Sequence, residues 1–199
     1  MKLRTILLGL LSIPALHAAA IDLSPRWVET TIDGFTRRQL FFAEGDKKFL
    51  ISTDRETEVA PGFGGTAFKF PKFPNIEFYL TPSGLSPSDL FKDVKLTDYR
   101  EAARKLLPAR AHKAEVVEET SNPIIINEWT SFRVLYRFAM DARPYRQGVT
   151  FLNLNDHDQI VIVTTAPEQD WSEAEARSWQ IVRSWQEMLP GDEGRQKGN

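Results

Sequence analysis

The chain has 199 residues, with 25 basic against 27 acidic side chains, a formal charge of −2 and no cysteine. Without a basic excess it lacks the signature of a nucleic-acid binder or of a protein held on anionic membrane by charge alone. Without cysteine it has neither disulfides nor a lipobox anchor, so its core must hold the fold unaided.

Residues 1–20, "MKLRTILLGLLSIPALHAAA", read as a signal peptide. Lys2 and Arg4 form a basic start, residues 6–13 a short apolar run, and Ala18, Ala19 and Ala20 a small-residue cleavage site. The run is shorter than the ~20 residues a membrane span needs, so no stable membrane anchor is expected after cleavage. Lys2 and Arg4 leave with the peptide and no acid does, which takes the formal charge from −2 to −4. Asn-x-Ser/Thr is absent as well, and together these features point to a periplasmic or secreted protein. The expected division is a signal peptide over 1–20, N-terminal strands or a hairpin extension over 21–58, a sandwich domain over 59–189 and a flexible tail over 190–199.

Within the extension, "RRQLFFAEGDKKFLIST" (37–53) reads as a hairpin, with Gly45 and Asp46 supplying the turn. "VAPGFGGTAFKFPKFPN" (59–75) is the most irregular segment. Its Gly62, Gly64 and Ala67 match the G-x-G-x-x-A dinucleotide fingerprint, but that motif works only where it opens a helix. Pro71 and Pro74 forbid a helix here, so no cofactor is expected. Phe68 and Phe70 alternate as on a core strand, while Phe63 and Phe73 are candidates for a pocket or a partner surface.

Residues 76–80 read as a strand. Residues 96–107 then have Leu96, Tyr99, Ala103 and Leu106/Leu107 at helical spacing, with Thr97 or Asp98 as cap and Pro108 as stop. In 131–140, Phe132, Val134, Tyr136, Phe138 and Met140 fall on one face of a strand, with Arg133 and Arg137 on the other. The following connection carries Arg143, Tyr145 and Arg146, candidates for holding an anionic group. Residues 147–154 and 159–166 read as two further strands. The second is apolar on both sides and is expected at the centre of a sheet covered on both faces. Between them, Asn155, Asp156, His157 and Asp158 suggest a metal or proton site in isolation. Their flanks make them a hairpin turn, in which Asn and Asp bond to their own backbone. Residues 172–189 read as an amphipathic helix opened by the capping box Ser172-x-x-Glu175. The expected class is α+β: an antiparallel sheet with helices on both faces, an α/β/α sandwich.

The stretch "IVIVTTAPEQDWSEAEARSWQIVRSW" combines an apolar strand, Ala-Pro, an acidic-aromatic link and an amphipathic helix with a late Ser-Trp. Over roughly 115–189 it resembles the PsbP-like superfamily, which includes photosystem II accessory subunits, DcrB-type bacterial envelope proteins and a Ran-binding import factor. The resemblance implies an α/β/α sandwich acting as a non-enzymatic accessory or binding module, and it transfers no binding residue.

Beyond the signal peptide only His112 and His157 remain for histidine chemistry. Neither G-x-S-x-G, S-x-x-K, H-E-x-x-H nor an EF-hand loop occurs, and His112 reads as a surface residue. The carboxylates of "EVVEET" and "EAEAR" read as solvated faces. No catalytic residue, metal site or cofactor is expected. The chain is expected to be an exported accessory protein of the cell envelope that binds an envelope protein or a small ligand. The surface formed by 61–75 and 141–147 is the candidate, and the alternative is a periplasmic hydrolase with an atypical carboxylate/His site.

Overall fold

The structure, a computed structural model, describes residues 21–32, 35–44, 47–85, 87, 93–124, 126 and 129–187. The expected signal peptide, the expected turn at Gly45 and Asp46 and the expected C-terminal tail lie outside the described residues. A four-stranded antiparallel sheet comprises β1 (Asp22–Ile32), β2 (Phe35–Glu44), β3 (Lys47–Ser52) and β11 (Gln186–Glu187). A seven-stranded antiparallel sheet has the order β4 (Glu58–Gly62), β5 (Gly65–Lys69), β6 (Glu77–Pro82), β10 (Gln159–Pro167), β9 (Arg143–Asn153), β8 (Ser131–Met140) and β7 (His112–Ser121). Helices α1 (Asp93–Lys105) and α2 (Trp171–Arg183) complete the body, a 3-10 turn at Glu168–Asp170 leading into α2.

The expected central strand is β10, every residue of which is buried. Ile160 and Ile162 pack in one cluster, and Val161 and Val163 in the other. Asn155 makes the turn before it: its Oδ1 accepts the backbone N–H groups of His157 (2.6 Å) and Asp158 (2.8 Å). Buried Tyr99 and Ala103 of α1 join the cluster on Val161 and Val163. Tyr99 meets Phe151 edge-on at 4.8 Å. The Tyr136 hydroxyl donates to the carbonyl of Arg100 at 3.2 Å, and Gln147 Nε2 donates to that of Leu106 at 3.1 Å.

The α/β/α sandwich with helices on both faces is not what forms. The molecule is mostly antiparallel β, and the face of β10 carrying Ile160 and Ile162 meets a second sheet with α2 beside it. Leu23, Leu40, Phe42, Phe49 and Ile51 of β1–β3 share one core with Phe68, Phe78, Leu80 and Ile162. Part of the reason lies in the helix read over 172–189, which ends at Arg183. Ser184 turns the chain, its hydroxyl accepting the Ser52 N–H at 2.8 Å. Gln186 and Glu187 then pair with Leu50 and Phe49. The capping box does not form either, since the N-cap position is Asp170, without a side-chain cap bond, and Glu175 turns to Arg133 instead. Helix α1 likewise begins at Asp93, which places Thr97 and Asp98 inside it. The segment read as irregular, 59–75, holds β5 and all of β4 but its first residue.

Candidate ligand-binding groove

The β4–β5 hairpin pairs Gly62 with Gly65. Phe63 and Gly64 therefore form a two-residue turn, at φ 56° and 76°, the left-handed pair that matches strand twist. Gly64 adopts this conformation freely. At Gly65 a Cβ would lie 2.1 Å from the carbonyl oxygen of Leu80, so β5 can approach β6 only with glycine there. The apparent dinucleotide fingerprint is thus hairpin chemistry. Phe63 holds a left-handed backbone at a cost of about 1–3 kcal/mol, partly offset by stacking worth roughly 0.5–1.5 kcal/mol. Its ring lies parallel to Tyr79 at 4.1 Å and 16°. The opposite face of the ring is bare, and the residue is 61 % exposed. Burial pushes the Tyr79 hydroxyl up to about 12, with the Glu77 carboxylate adding to the shift.

From Phe63 a concavity of about 440 Å³ extends to the loop after β5, lined among others by Ala67, Pro71, Pro74, Glu58, Lys69 and Glu77. In the sheet register Ala67 lies opposite Tyr79, and Tyr79 opposite Val163, so the groove opens on the face that α1 covers further along. Phe68 and Phe70 are buried, as the alternation predicts. Phe73 is separated from Phe63 by the length of β5 and is half-buried on the α2 side. The Arg177 guanidinium sits 4.6 Å over its ring and 5.8 Å from that of Phe70. Arg177 is itself held by Glu173 at 2.7 Å and Asp54 at 3.4 Å. Phe73 therefore braces the loop against α2, while Phe63 borders the groove.

The arginine-tyrosine segment, read as a connection, is instead the start of β9, paired with β8 from Arg143 onward, and its side chains are divided in the same way. Asp141 and Ala142 form a left-handed turn, at φ 51° and 62°. Strand alternation then sends Tyr145 onto Phe138, 5.9 Å away, and Arg146 to the opposite face. Arg143 is exposed. Arg146 donates to Glu168 at 2.7 and 3.2 Å, and Arg137, its cross-strand neighbour, donates to the same carboxylate at 2.9 Å. The hydrogen bonds from Arg146 hold the Glu168 carboxyl below its ordinary value against the opposing effect of desolvation, and Arg137 adds to the lowering. Because the folded value is the lower one, this stabilisation is present above the unfolded value of 4.5 and is lost as the pH falls through the folded value. The advantage of wild type over Glu168→Gln in urea midpoint is expected to be full near neutrality and to shrink below about pH 4.5. A gap undiminished in acid would refute this.

A buried charge in the same region escapes sequence reasoning. Arg133, on the face of β8 opposite Phe132 and Val134, lies under α2 between Trp171 (5.7 Å) and Trp179 (5.6 Å) and pairs with Glu175. A Cβ on Gly148 would come within 3.2 Å of both Arg133 and Trp171. The only local sign of this arrangement was a glycine in the middle of a strand.

His112 and His157 are both exposed, and neither forms an ion pair among the described residues. No group of three or more His, Cys, Asp or Glu side chains able to hold a metal occurs among the described residues. No helix there is long and apolar enough to cross a membrane.

The chain matches no family model and no curated protein. Among solved structures it is similar to LpqN of Mycobacterium tuberculosis, involved in cell envelope biogenesis, with a TM-score of 0.50 and 7% identity over 83% of this chain and 92% of that one. Looser similarities are to a cyanobacterial PsbP from Synechocystis (TM-score 0.43, 14% identity, 82% and 92% of the two chains) and to a variant of the protein Mog1 (0.45, 12%, 81% and 95%). At 7% identity the similarity to LpqN is one of fold, and no site residue is carried over from it.

Proposed function

We propose that this chain is an exported, non-enzymatic binding or accessory protein of the cell envelope, and that it holds a small ligand or an apolar side chain of a partner in the groove beside Phe63. The observation that carries this reading is the exposed, strained Phe63, stacked on one face only and bordering a concavity of about 440 Å³. That volume lies in the range of ~300–1,000 Å³ typical of small-molecule sites. An aromatic ring held exposed at such a backbone cost suits contact with something outside the molecule. The compartment rests on the signal-peptide features of residues 1–20, and a similar fold serves in LpqN, a protein involved in cell envelope biogenesis.

The test uses the mature protein and the neutral dye N-phenylnaphthylamine. Wild type is expected to take up the dye with enhanced fluorescence. Phe63→Ala is expected to bind it about five- to thirtyfold more weakly, the effect of about 1–2 kcal/mol of lost apolar contact. Phe73→Ala, on the α2 side, should change binding far less. Absence of uptake by wild type, or equal uptake by Phe63→Ala, would remove the groove as the site. Amino-terminal sequencing of the exported protein tests the compartment, since an intact residue 1 would contradict export with cleavage.

A further inference from the structure

We infer that the groove selects an amphipathic organic cation, an ammonium group carried on an apolar body, over neutral and anionic molecules of the same shape. This rests on the groove being the binding site proposed above. The charged groups lining it are Glu58, Glu77 and Lys69. Glu58 lies directly across from Lys69 in the β4–β5 register, and the β5–β6 register, with Phe68 against Phe78, puts Glu77 on the other side of Lys69, so one cation stands between two carboxylates and the lining keeps one excess negative charge. Glu77 has no ion-pair partner among the described residues.

Two further observations bring that charge to the aromatic end of the groove. Glu77 and Tyr79 are two apart on β6 and share one face of the strand. The Glu77 carboxylate is also one of the causes of the raised Tyr79 hydroxyl, so its field reaches the ring on which Phe63 stacks. The bare side of Phe63 presents the negative face of its ring quadrupole to solvent, which attracts a cation within about 6 Å. Ala67, Pro71 and Pro74 offer apolar surface for the rest of the molecule. The nearby cations Lys72 and Arg177 are engaged elsewhere, with Glu56 at 2.8 Å and with Glu173 at 2.7 Å. Lys69 is therefore the one cation in the lining, already opposite a carboxylate. A ligand anion would meet Glu77 and the ring face unfavourably, whereas an ammonium meets both favourably.

The test displaces N-phenylnaphthylamine from the mature protein with three decyl compounds below their micelle concentrations: decyltrimethylammonium, decanol and decyl sulfate. The cation is expected to displace the dye at about tenfold lower concentration than the sulfate and several-fold lower than the alcohol. Glu77→Gln, an exposed position whose change leaves the core untouched, is expected to reduce the preference for the cation about fivefold and leave decanol unchanged. Lys69→Gln should increase that preference. Displacement by all three compounds with no preference for the cation, or a preference unmoved by Glu77→Gln, would overturn the cation inference and leave the groove as a binding site. A wild type that takes up no dye, as if a segment of the chain or a second copy filled the groove, would overturn both.

Discussion

Replacing Glu175 by alanine is expected to destabilise the fold by about 2–4 kcal/mol, read as a fall in urea midpoint with unchanged slope. The substitution leaves the Arg133 guanidinium, whose side chain is 10% exposed, without its counter-charge between two tryptophan rings. Its Nε already lacks a hydrogen-bond partner, so the site has little spare polar capacity to absorb the loss. Glu175 is one-third exposed, which lets water replace part of the interaction and keeps the expected cost at or below the range for fully buried pairs. The double variant Arg133→Met/Glu175→Ala should recover most of the stability, because removing both charges removes the desolvation cost as well. If the double variant is as unstable as Glu175→Ala, the buried charge is not the cause.

Trp185→Ala is expected to cost about 3–5 kcal/mol, the cavity cost of truncating a buried aromatic residue. Trp185 follows α2 and enters the core between the two sheets, 2% exposed. It stacks on Phe42 at 5.6 Å and contacts Phe49 at 5.8 Å and Trp129 at 6.0 Å. Its indole Nε1 has no partner, so the N–H contributes a desolvation cost and no bond. Trp185→Phe should therefore cost much less than Trp185→Ala in the same urea titration. Equal losses would mean that the indole's shape, and not apolar burial, decides the site. Because α2 also carries Arg177, which holds Phe73 and the loop at the end of the groove, weakening its seat is expected to loosen that loop.

Much of the larger sheet is legible from local pattern. The alternation in 131–140, the two-sided apolar run of 159–166 and the Asn155 turn each involve near neighbours in the chain, and each appears where the pattern puts it. Tyr99 and Ala103 likewise face the core at helical spacing. The end of α2 was not legible, since nothing between Arg183 and Gln186 breaks a helix by composition. The chain leaves the helix there because Ser184 bonds to Ser52, 132 residues away, and Trp185 fits a space between sheets. The burial of Arg133 was not legible for a similar reason: alternation tells which residues share a face, but not which face a helix will cover. The candidate site divided along the same line. Phe63 and Phe73 are near in sequence, yet β5 runs between them and sends one to the groove and the other to α2.

By itself, then, the sequence determined the cysteine-free character of the core, the strands and turns written in short-range periodicity, and the hairpin nature of the Asn-Asp-His-Asp cluster. These follow from backbone geometry and from neighbours a few residues apart. Only the tertiary structure decided that a second sheet with α2, and not α2 alone, covers the inner face of β10. It also decided that Arg133 is buried, and that Phe63 stands exposed over a groove whose lining carries one excess negative charge. Each of these depends on contacts between segments distant in the chain, whose docking no local pattern encodes.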